Sequence, residues 1–143
     1  MEISTELLEN QIENANDYDE FKKTALFHSR ATFCTEIDRL REEHGFKTFG
    51  QIQPEVAMSK TLFYDVLNGK KAPLKRHIIK IGLAMKLSLE EINDLLRLAG
   101  HKSLYVKIRE DSIILFGITH HKSVSEIDAL LAQEGCAFSL TDK

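Results

Sequence analysis

Apolar residues recur at three- and four-residue spacing along almost the whole chain, and alternating β-branched runs are scarce, so the pattern predicts helices throughout. Ile3, Leu7, Leu8 and Ile12 mark one face of a first short helix. Residues 14–17 (Asn-Ala-Asn-Asp) read as a turn. Asp17, with Glu20 three residues on, makes a capping box for a second short helix bearing Tyr18, Phe21 and Ala25. Residues 27–31 are expected to be a connector. A helix from about Thr32 to His44 comes next, with Phe33, Ile37 and Leu40 inward and Gly45 as its stop. A short helix over Thr48 to Gln53 is disturbed by Pro54, which lacks the backbone donor. Ser59 then caps a helix whose apolar stripe is Leu62, Phe63, Val66 and Leu67, and Asn68-Gly69 ends it.

Beyond residue 73 the pattern repeats. Residues 74–100 and 109–135 align at an offset of 35 with nine identities. They pair Ile78 with Ile113, Ile79 with Ile114, Gly82 with Gly117 and Ser88 with Ser123. They also pair Glu91 with Glu126, Ile92 with Ile127, Leu95 with Leu130, Leu96 with Leu131, and Gly100 with Gly135. Each copy predicts an apolar helix, a turn, a capping box (Ser88…Glu91, Ser123…Glu126) and a second helix closed by glycine. Two copies are too few for a solenoid, so the second hairpin is expected to pack on the first and extend one core.

At 143 residues, 43% hydrophobic and 29% charged, the chain has the size and composition of one folded domain with an appendage. No apolar run approaches the ~20 residues of a membrane span. The N-terminus has no basic segment ahead of an apolar run, so no secretory signal is expected, and a cytoplasmic location is the matching expectation. Cys34 and Cys136 fit no metal or redox spacing and read as reduced, buried thiols.

Charge changes the picture more than composition does. The net charge is only −3, yet residues 1–20 hold seven acidic side chains and no Lys or Arg. Residues 59–86 hold Lys60, Lys70, Lys71, Lys75, Arg76, Lys80 and Lys86 against Asp65 alone. A local cationic strip points to an anionic partner, and a solvated helix face can produce the same pattern. On the helix from Ser59, residues Thr61, Tyr64, Asp65 and Asn68 share the polar face at i, i+3, i+4 and i+7. Lys70 and Lys71 lie beyond its end. Basic Lys75 and Arg76 open the next helix, where they oppose its dipole and so suggest an external anion. A polar helix face backed by clustered cations suits a major groove: the face meets base edges and the cations hold phosphates.

The stretch AMSKTLFYDVLNGKKAP resembles the turn, recognition helix and loop of lambda-repressor-type (Xre) helix-turn-helix proteins. Ala57, Met58, Ser59, Tyr64, Leu67, Gly69, Lys70, Lys71 and Pro73 carry the resemblance. It implies an all-α lambda-repressor-like helix-turn-helix bundle with short N-terminal helices and a duplicated C-terminal helical hairpin. The implied division is an acidic helical arm (1–31), a helix-turn-helix domain (32–100) and a hairpin extension on the same core (101–143). It further implies a bacterial, sequence-specific reader of double-stranded DNA, a transcription regulator. The expected contacts are Ser59, Lys60, Thr61, Tyr64, Asn68, Lys70, Lys71, Lys75 and Arg76. The chain departs from that pattern where Phe49 replaces the Gln that opens helix two, and where Gln53 replaces a small Ala before Pro54. These departures, with Asp65 and the low pI, support the alternative: a protein-interaction module that keeps the scaffold without reading DNA.

The remaining expectations are a homodimer, or a protein partner held through the N-terminal arm or the C-terminal hairpin, and no membrane contact. The arm itself is expected to pack Leu7, Leu8, Tyr18 and Phe21 on the body. His120-His121 reads as a surface pair and His77 as a partly buried or solvated histidine. No nucleophile–base order, carboxylate pair in a cleft, phosphate-cradling Gly loop or Cys/His cluster is present. The reading therefore carries no enzyme activity, no metal and no cofactor.

Overall fold

In a computed structural model, residues 18–141 are described, and every regular element among them is helical. The helix expected over Ile3–Ile12 lies outside them, as do Leu7, Leu8, Asp17 and the side chain of Phe21. The first described element, α1, is one continuous helix over Tyr18–Glu43. The connector expected at 27–31 is therefore corrected: the helix runs through these residues without a backbone break. The physical reason is that Phe-His-Ser-Arg-Ala holds neither Gly nor Pro. A helix already nucleated propagates through such residues at little cost. Tyr18 is exposed rather than packed. Gly45, at φ 84°, ends the helix, and Phe46 N–H donates back to the Arg41 carbonyl at 3.0 Å.

Where a short α-helix is expected around Thr48–Gln53, the chain instead makes two successive 3-10 turns, Phe49–Gln51 and Gln53–Glu55. Pro54 sits at the start of the second, where its missing donor costs nothing. Arg41 fastens this segment: its Nη1 donates to the carbonyls of Phe46 (2.7 Å) and Lys47 (2.8 Å), and its guanidinium lies over the Phe49 ring.

Helix α2 spans Lys60–Leu67. Ser59 Oγ accepts from Leu62 N–H at 3.2 Å, and Gly69 takes the left-handed conformation (φ 79°) that ends it. Phe63, Val66 and Leu67 are buried, as the stripe predicts.

The repeat is structural. Helices α3 (Lys75–Met85) and α4 (Leu89–Leu98) form one hairpin, α5 (Arg109–Thr119) and α6 (Val124–Gln133) the other. Both capping boxes close: Ser88 and Glu91 exchange bonds of 2.9 and 3.2 Å, Ser123 and Glu126 two of 3.1 Å. The correspondence extends past the identities. Lys86 and His121, 35 apart, are the two non-glycine residues with positive φ among the described residues. Asn93 accepts from Leu104 N–H and its counterpart Asp128 from Leu140 N–H, so each hairpin ties down the segment that leaves it. The glycines at 82 and 117 lie where the two helices of each hairpin cross. A Cβ on Gly82 would stand 2.6 Å from Ile92 Cγ1, and one on Gly117 2.4 Å from Ile127 Cγ1. The identities Gly82/Gly117 and Ile92/Ile127 are thus two sides of one contact, used twice.

Helix α1 packs along α4, α4 also meets α5, and one apolar core runs from Phe33, Ile37 and Leu40 through Phe63 and Ile79 to Ile114, Ile127 and Leu140. Among the described residues no helix is long and apolar enough to cross a membrane. Cys34 and Cys136 are free thiols and only half-buried.

Candidate nucleic-acid interface

Helix α2 presents the face singled out by its spacing. Lys60, Thr61 and Asn68 are exposed, and Tyr64 is half-buried. The Tyr64 ring packs edge-on against Phe63, with centroids 5.3 Å apart. Ser59 is exposed, but its hydroxyl is committed to the helix cap. Asp65 is half-buried, and its carbonyl accepts the backbone N–H groups of Lys70 (2.9 Å) and Lys71 (3.2 Å). That bond pair shapes the loop and leaves both lysine side chains exposed, without a partner among the described residues.

The start of α3 is different. Lys75 Nζ lies 2.6 Å from Asp111 Oδ1 and 3.1 Å from Glu110 Oε1. Asp111 is buried, and its other oxygen accepts Tyr105 N–H at 3.0 Å. Burial lowers the Lys75 pKa, but Asp111 and Glu110 outweigh it, and the ammonium is held above its ordinary range. For Lys75 an internal anion is thus at hand, and this lysine, expected as a phosphate contact, braces the two hairpins. Arg76 is half-buried, with its guanidinium over the Phe138 ring at 5.6 Å; Lys75 Nζ sits over the same ring at 5.1 Å.

Lys80, counted in the cationic strip, is 2% exposed and donates to the Ala57 carbonyl at 2.8 Å. It holds the turn before α2 from inside. His77 is buried, and its Nδ1 accepts Leu74 N–H at 3.1 Å. Of the nine expected contacts, Lys60, Thr61, Tyr64, Asn68, Lys70 and Lys71 share one accessible corner. Lys75 does not.

Two positioning residues are not evident from the pattern of the helix they support. Arg30, on α1, donates to the Gly69 carbonyl at 3.4 Å and so reaches the C-terminal end of α2; its Nε is buried with no partner. Nothing in the local pattern around Arg30 marks this, because the contact spans 39 residues. Lys80 does carry a signal. The run HIIKIGLAM is apolar on every face, so a lysine inside it has no solvent side to occupy.

The cysteine nearest this corner, Cys34, has its thiol pushed up by burial, with Arg30 opposing. No group of three or more His, Cys, Asp or Glu side chains converges on a metal-sized site among the described residues. Compared with family models, curated proteins and solved structures, the chain matched none.

Proposed function

We propose that this chain binds double-stranded DNA through the outer face of α2 and acts as a sequence-specific regulator of the lambda-repressor type. One observation carries the reading. The polar positions of α2 stay accessible next to Lys60, Lys70 and Lys71, while two other basic groups of the strip, Lys75 and Lys80, are absorbed by the fold. Thr61, Tyr64 and Asn68 then face base edges or sugars, and the three lysines hold the backbone. Arg76, half-buried over Phe138, stands at the margin of this contact set.

A second reading has its own support. The segment that anchors the backbone in such proteins is here a pair of 3-10 turns, not an α-helix. A protein-interaction module that no longer reads DNA fits that departure.

A salt titration on duplex DNA separates the two. With about three phosphate contacts, the log–log slope of affinity on salt is near −3, and changing Lys70 and Lys71 to Ala flattens it by about 2. Absence of duplex binding at physiological salt, with a protein recovered instead, decides for the interaction module.

A further inference from the structure

We propose that the outer face of the second hairpin is the contact surface for a second copy of this chain. The internal repeat brings this face to light. An open groove of about 310 Å³ is lined by Arg109, Ser112, Ile113, Phe116, Leu130 and Glu134. Moved back by 35 residues, these positions become Leu74, His77, Ile78, Ile81, Leu95 and Ala99. In the first hairpin the middle four are buried, Ile78, Ile81 and Leu95 completely, in the hairpin whose α4 packs along α1. In the second hairpin no described element covers their counterparts, and Phe116 is 47% exposed. The same hairpin face is used once inside the chain and left apolar and open once at its end.

Two features choose a second copy as the occupant. The first is charge. Arg109 and Glu134 stand side by side at one end of the groove, with Arg109 Nη1 donating to the Glu134 carbonyl at 3.2 Å. The Glu134 carboxylate has no partner among the described residues. Two such grooves related by a two-fold axis set Arg109 of each copy against Glu134 of the other, so the surface is complementary to itself. The second is the exposed ring in the groove: Phe116, 47% exposed beside Ile113 and Leu130 in the lining, offers each copy an apolar side chain to set against the other's. The proposal rests on the repeat and stands whether or not α2 reads DNA.

The test is sedimentation equilibrium of the full chain over a wide concentration range, with circular dichroism as the check on folding. The mass is expected to double with a dissociation constant in the micromolar range. Phe116→Glu should hold the chain monomeric with unchanged helicity, since the side chain is half exposed. Arg109→Glu should weaken association roughly tenfold, and the Arg109→Glu/Glu134→Arg pair should restore it. A wild-type chain that stays monomeric throughout overturns the proposal, as does a Phe116→Glu chain that still dimerises. A monomer whose α5 amides lose hydrogen-exchange protection on removal of residues 1–17 also overturns it, and assigns the groove to the chain's own N-terminal segment.

Discussion

Single side chains here decide what the charges are for. Lys75 is the clearest case. Replacing it with Met leaves Asp111 buried without its cation, a change expected to cost about 2–3 kcal/mol. Urea unfolding reads that loss, and the slope of DNA affinity on salt should not move, whereas Lys70→Ala should do the reverse. Gly82 is the second case. Alanine would gain about 1 kcal/mol of helix propensity but places a methyl 2.6 Å from the branched Ile92, whose Cγ1 has little room to retreat. Overpacking wins, with a net loss of about 1–2 kcal/mol. In a double-mutant cycle with Ile92→Ala, the combined loss should fall short of the sum of the two, because the smaller partner removes the clash. Additive losses would mean that the two side chains do not meet.

At the scale of elements, the joints between helices are polar and specific. Glu91 serves two of them at once: it completes the α4 capping box with Ser88, and both its oxygens lie 3.0 Å from His44 Nε2 just beyond α1. Burial raises the Glu91 pKa, but the Ser88 N–H and the His44 ring reverse this and leave the carboxyl below its ordinary 4.5. A depressed folded pKa contributes stability above the unfolded value and loses it as pH falls through the folded one. The stability gap between wild type and Glu91→Gln should therefore be full above pH 4.5 and shrink in more acid solution. A gap that persists unchanged at pH 2, well below the usual carboxyl range, would remove the carboxylate from this role. The caps and glycine stops of α2, α4 and α6 could be placed from sequence because their signals lie within three or four residues of the ends they fix. The 27–31 connector could not, since a polar stretch without Gly or Pro reads equally as loop or as exposed helix.

Taken whole, the molecule is a helical body extended by reuse of one hairpin. The reuse explains both the continuous core and the open groove on α5 and α6, where the next layer of packing is absent among the described residues. A self-associating groove gives the thermal midpoint a dependence on protein concentration, which Phe116→Glu should abolish. If the copies pair through this surface, two α2 faces enter a duplex together only where their separation matches about one helical turn, roughly 10–10.5 bp, or a multiple of it. The candidate interface is partly legible in the sequence. Its helix, cap, exposed face and the Lys70-Lys71 pair all come from local spacing, while the roles of Arg30, Lys75 and Lys80 do not.

Sequence alone determined where α2 to α6 lie, that two hairpins share one plan, and which side of α2 is polar. Those properties are set by neighbours a turn or two apart, so the local chain encodes them. Tertiary structure decided which cations remain available. Lys75 meets Asp111 across 36 residues and Lys80 meets Ala57 across 23, and such encounters exist only once the helices have packed. A lysine carries the same charge in the strip whether it faces water or a buried carboxylate; folding alone sets which of the two it meets.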